Sequence, residues 1–309
     1  MNRLGHTDVL LVALTTRSLP SEAKPLSARE VWTLLASHSI DELTRWSEGE
    51  GPPLASALAM RAQTLLQRSA AVAARLEQWE SEGIWTLTAT SPAYPAQLRE
   101  RLGASAPAVL HGAGDPALLS REGLGVVGSR NITRDGLAAC QVAGASAAER
   151  GRVLVSGGAR GTDSEAMAAA ARAGGSTTAI LADALRQAIA RSDNRRLIIE
   201  DRLCLATPYN PDAGFSAATA MGRNKIIYGL SARVLVIAAD HESGGTWSGA
   251  VEALRAGWTD VAAWTGPGAG PGNAGLVGQG ARPVATLDEL WNPPEHGMAP
   301  AAEQLHLDV

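Results

Sequence analysis

Residues 153–167 read VLVSGGARGTDSEAM. The apolar run Val153, Leu154, Val155 is broken by Ser156, Gly157 and Gly158. Arg160 and Gly161 follow, and then Thr162 or Asp163 opens a helix whose spacing carries it to Ala173. A short apolar run bounded by glycines reads as a buried strand, and an acidic residue just past the break reads as a helix start. Consecutive glycines let backbone N–H groups converge on one point, and the helix N-terminus adds partial positive charge there. The turn is neither the phosphate loop that ends in Gly-Lys-Ser/Thr nor the dinucleotide fingerprint. It is expected to hold phosphate, from a single-stranded nucleic acid or from a free nucleotide. The competing reading is a tight strand-to-helix turn with Asp163 as a cap.

The same rhythm extends on both sides. LGVVGS (124–129), TTAILA (177–182), RLCLAT (202–207), RVLVIAA (233–239) and DVAAWT (260–265) are short apolar segments separated by helix-length stretches. Near-continuous apolarity implies strands buried on both faces, hence a parallel sheet with helices on either side. The fold class is therefore α/β, a doubly wound Rossmann-like parallel sheet with its ligand site at the carboxyl ends of the strands. Upstream, VLLVAL (9–14), REVWTLLA (29–36) and LASALAMRAQTLLQRSAAVAARLEQW (54–79) carry helical spacing, with Ser27 and Glu30 in a capping-box pattern and Gly-Glu-Gly-Pro-Pro as a break. Trp32, Trp46 and Trp79 are expected in the core or between domains rather than as stacking platforms. The expected organisation is a helical domain of the SAM or helix–hairpin–helix kind over 1–82, a connector over 83–122 that packs on the next domain, the Rossmann-like domain over 123–295 and a tail over 296–309.

Of the 309 residues, 45% are hydrophobic and 19% charged, the composition of an ordinary globular protein. The formal net charge of −4 excludes a generally basic nucleic-acid coat, so any polyanion must meet a local patch. Lys24 and Lys225 are the only lysines, which leaves arginine as the main cation. Two cysteines, Cys140 and Cys204, form no disulfide framework, and the N-terminal apolar run is too short to span a bilayer. A cytoplasmic protein is expected.

Three further turns belong to the expected site. Gly128, Ser129 and Arg130 end the first strand, a place for close backbone approach, a hydroxyl and a guanidinium fork. Arg223, Asn224 and Lys225 stand on a helix whose Ile226, Ile227 and Leu230 face the sheet. Gly244, Gly245 and Thr246 open another helix as a second anion nest. Gly270, Gly272 and Gly275 match G-x-G-x-x-G, but Pro271 interrupts them and too little chain follows for a dinucleotide unit. No nucleophile elbow or metal spacing appears, and Asp163 and Glu165 point to different helix faces. A non-catalytic protein without cofactor or metal is expected.

Taken together, VVGSRNIT, VLVSGGARGTD with AGGSTTAIL, GRNKIIYGLSARVLVIAA and NAGLVGQGARPV resemble, in order and spacing, the DprA/Smf family of DNA-processing proteins. The resemblance spans roughly Gly83 to Trp291. It implies a single-stranded DNA-binding protein that dimerises and helps load RecA recombinase in transformation, or serves a related anti-phage role. By motif, it assigns phosphate contacts to Ser129 and Arg130, Ser156 to Gly161, and Arg223 to Lys225. The run with Arg186, Arg191, Arg195 and Arg196 would widen the patch. The chain departs from the family pattern at Met167, at Ala182-Asp183-Ala184 in place of a Gly-x-Gly turn, at Ala206-Thr207 in place of Ser-Glu, and at Ser243-Gly244-Gly245-Thr246. No winged-helix domain is expected after Trp291. The alternative is a LOG-like nucleotide-binding protein or nucleoside-monophosphate phosphoribohydrolase, using Gly244-Gly245-Thr246 with Glu252.

Overall fold

The computed structural model describes residues 4–50 and 56–292. The tail expected at 296–309 and the Pro52–Pro53 break lie outside the described residues. Five helices come first: α1 (His6–Thr15), α2 (Ala28–Ser37), α3 (Ile40–Ser47), α4 (Ala57–Leu66) and α5 (Ser69–Ser81). The Ser27–Glu30 capping box is formed, with the Ser27 amide donating to Glu30 Oε2 at 2.7 Å and the Glu30 amide donating to Ser27 Oγ at 3.4 Å.

The alternating part then runs β1 (Trp85–Thr88), α6 (Ala96–Leu102), β2 (Val109–Gly114), β3 (Gly123–Val127), α7 (Arg134–Glu149), β4 (Val153–Ser156), α8 (Thr162–Arg172), β5 (Thr177–Ile180), α9 (Leu185–Ala190), α10 (Ser192–Ile199), β6 (Leu203–Thr207), α11 (Ala217–Leu230), β7 (Ser231–Val236), α12 (Gly244–Ala256), β8 (Asp260–Trp264), α13 (Asn273–Gly278), β9 (Arg282–Val284) and α14 (Leu287–Trp291). All strands join one sheet in the order β1-β2-β6-β5-β4-β3-β7-β8-β9. From β6 to β9 every pairing is parallel. The chain winds from β3 outward to β6, then crosses back to lay β7 on the other side of β3. That reversal leaves a crevice between the carboxyl ends of β3 and β7, where open α/β sheets bind ligands.

Side-chain alternation divides the sheet between two helical layers. Leu124, Val126, Leu235 and Ile237 face α7, α8 and α14, whereas Val127, Val234 and Val236 face α6, α11 and α12. β3 and β7 are thus apolar on both faces, and this is why they show no polar alternation. The connector adds β1 and β2 antiparallel to the β6 edge, a pairing its sequence did not announce. The N-terminal helices share a core with this end of the sheet, in which Leu10, Leu14 and Trp79 pack with Val109, Leu203 and Leu205. Trp46 is buried in the same core, and Trp32 donates its indole N–H to the Ala106 carbonyl at 2.8 Å beneath the Arg99 guanidinium.

Two polar anchors fix the far side. Buried Asn273 donates to the Ile237 and Trp264 carbonyls at 2.8 and 2.7 Å and accepts from the Ala239 amide at 2.9 Å. The Gly270/Gly272 run packs directly on Ala239 and Asp240, so those glycines serve close packing at the exit of β7. Arg233 and Arg282 share Asp260 and reach the Leu290 carbonyl, which ties down α14. No described helix is long and apolar enough to cross a membrane.

His111 on β2 provides a test of this core. Its Nδ1 lies 2.9 Å from Thr86 Oγ1 and its ring meets Trp79 edge-on at 4.8 Å. Burial holds its pKa down to about 3, from an ordinary 6.5. The folded protein keeps the imidazole neutral, while the unfolded chain protonates it below 6.5. Stability is therefore intact above that pH and falls on acidification, by about 1.4 kcal/mol per pH unit. Denaturant titrations should show this slope above the carboxylate range, and His111→Gln should flatten it.

Candidate functional site

The crevice at the switch point is a cleft of about 680 Å³. Its rim includes Gly128, Ser129, Arg130 and Asn131 after β3, Ser243 to Thr246 at the start of α12, and Phe215 and Met221 around the start of α11. Arg223, Asn224, Ile227 and Tyr228 line it from α11, and Asp163 reaches it from α8.

The loop after β3 is held at both ends. The Ser129 amide donates to the Ala238 carbonyl at 2.8 Å, which binds it to the end of β7. The Thr162 amide and hydroxyl both donate to the Ser129 carbonyl, at 3.2 and 3.1 Å, which binds it to α8. Ser129 Oγ accepts from the Asn131 amide at 3.1 Å, and Asn131 Oδ1 accepts from Arg160 at 3.0 Å. Arg130 remains exposed, its guanidinium carbon 5.2 Å from the centre of the Phe215 ring. Phe215 is the single phenylalanine of the chain and is 56% exposed.

The glycine turn after β4 departs from the expected open nest. Asp163 Oδ2 accepts from the Gly157 amide at 3.1 Å and from the Ala159 amide at 3.4 Å. The turn is thus filled by a carboxylate from its own helix. Ser156 Oγ is also spent, donating to the buried Val126 carbonyl at 2.6 Å. Asp163 does not cap α8 at its end; Gly161, at φ +89°, is the capping residue, with no side-chain bond. Behind Asp163 stands Arg223, 6% exposed, with Nη2 3.9 Å from Asp163 Oδ2. A Cβ at Gly157 would stand 1.4 Å from Arg223 Nη1, so the turn needs glycine there because the guanidinium occupies the space. Burial raises the Asp163 carboxyl above its ordinary range and lowers Arg223, while their mutual attraction opposes both shifts.

The first turn of α12 is open. Ser243 makes no side-chain cap, and among the described residues no acceptor meets the amides of Gly244, Gly245 or Thr246. The start of this helix is fixed from α11, where Asn224 donates to the Gly245 carbonyl at 3.1 Å. Asp240 stands beside it, its carboxylate within 3.7 Å of where a Gly244 Cβ would be.

The cleft therefore gathers Gly128, Ser129, Arg130, Arg223, Asn224, Gly244, Gly245 and Thr246. It leaves out five residues of the glycine turn, namely Ser156, Gly157, Gly158, Arg160 and Gly161; Arg160 braces the neighbouring loop instead. Lys225 is also outside, half-buried on the next face of α11, where burial lowers its pKa and Glu252 of α12 counters that effect. Glu252 is exposed and does not line the cleft, so the LOG-like arrangement of a glycine-threonine turn with its glutamate is not assembled here. Arg186 is engaged with Glu82 and Asp212, whereas Arg191, Arg195 and Arg196 are exposed. Sequence reasoning missed Phe215, Tyr228 and the inward role of Asp163. A lone phenylalanine directly before the Ser216 cap was the one available signal for the first.

The profile of the family described as DNA recombination-mediator protein A matches residues 85–293. The chain is 31% identical over 225 residues to DNA processing protein DprA of Bacillus subtilis, covering 70% of this chain and 73% of that protein. The solved structure of DNA processing protein A from Streptococcus pneumoniae superposes with a TM-score of 0.64 at 23% identity, covering 86% of this chain and 98% of the other. A Helicobacter pylori DNA processing protein A, solved for its single-stranded DNA binding mode, gives 0.54 at 22% identity over 68% of this chain and 94% of that one. At such identities the two structures speak for the fold.

The buried pair under the glycine turn makes a direct prediction. Asp163→Ala strands Arg223 without a counter-charge and leaves two amides unmet, which should cost about 3–5 kcal/mol. Chemical denaturation measures it; a loss of under about 1 kcal/mol would mean the pair does not hold the turn.

Proposed function

The chain belongs to the DNA recombination-mediator protein A family, and we propose that its switch-point cleft binds single-stranded DNA. The observation that carries this reading is the convergence on one cleft of the exposed Arg130 guanidinium and the unmet first-turn amides of α12. A helix N-terminus and a free arginine are complementary to a phosphodiester. The exposed Phe215 ring beside Arg130 offers a face for a base, and stacking of this kind tolerates any sequence. Double-stranded DNA presents no unstacked base to such a ring.

With a net charge of −4, the attraction has to be local, and Arg130 is its main exposed source at the rim. Delivery of the strand to RecA recombinase, dimerisation, a cytoplasmic location and a part in transformation or in anti-phage defence rest on the family resemblance. The reading is of a binding protein rather than an enzyme.

Arg130→Ala should weaken binding of a single-stranded oligonucleotide about tenfold and reduce the slope of log affinity against log salt by roughly 0.7, the share of one phosphate contact. Lys225→Ala should change neither quantity by more than about twofold, because the side chain stands outside the cleft. Fluorescence anisotropy over a salt series reads both. If Arg130→Ala leaves affinity and slope untouched, DNA does not bind at this rim.

A further inference from the structure

The sheet ends on β1, which has a partner strand on one side only. Its register against β2 fixes which groups face the open side. The Ala89 amide donates to the Ala108 carbonyl at 2.8 Å, one step beyond the Thr88–Val109 pair. Antiparallel strands exchange hydrogen bonds at every second residue, so Leu87 and Trp85 face β2 as Ala89 does. Thr86 therefore turns its N–H and C=O to the free edge, and Thr88 its N–H. The Thr88 carbonyl accepts from the Ser91 amide at 2.9 Å. Among the described residues no strand takes up this edge. Such an edge is a template for another strand, and proteins usually cover it or guard it with lysine. Here it opens into a groove of about 500 Å³.

The groove follows the edge rather than one face, because both layers of the fold line it. Pro92, Ala93 and Pro116 belong to the layer in which Trp85 and Leu87 pack with Tyr94, Leu98 and Leu118. Asp8 and Glu80 come from α1 and α5, in the layer of Trp79 and Ile84. One wall is thus apolar and the other acidic. Asp8 accepts only from neutral donors, the Thr88 hydroxyl at 2.6 Å and the Gly5 amide at 2.8 Å, so its charge is not cancelled. Glu80 is exposed, and no described lysine or arginine lines the groove. The groove shares no lining residue with the switch-point cleft, and its carboxylates repel a nucleic acid.

Successive side chains of an extended strand alternate between two faces. We infer that β1 accepts an added strand from another protein, a segment in which basic residues alternate with apolar ones. Its backbone pairs with Thr86 and Thr88. Its apolar side chains lie on the wall of Pro92, Ala93 and Pro116, and its basic ones beside Asp8 and Glu80. In strand addition of this kind the main chain supplies affinity and the alternating walls supply specificity.

The probe is a fluorescent peptide, Lys-Val-Lys-Val-Lys, titrated with the full chain and followed by anisotropy. Two methylated forms separate edge pairing from simple attraction, one carrying N-methyl groups on the valine amides and the other on the inner and last lysine amides. In an added strand only one of these sets faces β1, so one form should bind roughly tenfold more weakly than the other. The block peptide Lys-Lys-Lys-Val-Val, equal in charge, should bind as weakly as the poorer form. Glu80→Lys, a change at an exposed position, should keep the melting temperature and weaken the alternating peptide about fivefold at low salt. Equal affinity of the two methylated forms, or of the alternating and block peptides, overturns strand addition, as does failure of the alternating peptide to bind. Unchanged affinity in Glu80→Lys overturns the basic character of the partner. Binding that occurs only as a dimer of the chain comes apart, followed by sedimentation, assigns the edge to a second copy and overturns its assignment to another protein.

Discussion

Between α8 and α11, one ion pair organises the carboxyl edge of the sheet. Arg223 lies against the bare Cα of Gly157 and faces Asp163, which in turn gathers the amides of Gly157 and Ala159. Three features of the sequence trace to it. Position 157 accepts no side chain, because the guanidinium already occupies that volume. The turn already holds an anion of its own, because the Asp163 carboxylate takes the Gly157 and Ala159 amides. The helix carrying Arg223 is tied to the turn after β4, while its next residue, Asn224, donates to the Gly245 carbonyl of α12 at 3.1 Å. Buried pairs of this sort seldom add net stability over apolar replacements, but breaking one is expensive. Here the pair sets the position of the turn rather than adding to the total stability.

Much of the fold was legible from local pattern. Each apolar segment from LGVVGS to DVAAWT became a strand, and the glycine turns after β3, after β4 and at the start of α12 fell at the carboxyl edge, because burial on both faces leaves a mark in composition that needs no knowledge of partners. The antiparallel pairing of β1 and β2 at the sheet edge was not legible. Edge pairing depends on where two segments meet, and GIWTLT carries the same signal whether it pairs or not. The site was half legible for a related reason. Glycines announce that a backbone is bare without saying what fills the space, and in the SGGARG turn the occupant is the protein's own carboxylate. Likewise the three residues Arg223, Asn224 and Lys225 are adjacent in sequence but fan out around α11, so one points under the glycine turn, one braces α12 and one sits outside the cleft.

One departure from the family pattern now has a physical sense. At the turn after β5, where the family places glycines, Ala184 adopts φ +50°, a left-handed conformation that costs a residue with a Cβ roughly 1–2 kcal/mol. Its amide donates to the Ala213 carbonyl at 2.9 Å, which repays part of that strain and seats the 208–216 segment that presents Phe215. Asp183 in the same turn adds a second negative charge to the field at Arg223. Both changes make the β5 side of the site less hospitable to phosphate. In the proposed DNA-binding role, the phosphate contacts therefore fall to Arg130 and α12, on the opposite wall.

That shift bears on how such a protein grips a polyanion while carrying net negative charge. A cleft lined with many arginines would derive its affinity from counterion release and lose it steeply with salt. This one exposes a single arginine and an uncapped helix at the mouth, and keeps its second arginine neutralised inside. The electrostatic share of binding is then small and confined to the rim. In the proposed DNA-binding role, the rest of the affinity comes from the apolar walls and the exposed Phe215 ring, neither of which depends on ionic strength. Discrimination of single strands from duplexes then rests on whether a base is free to stack on that ring.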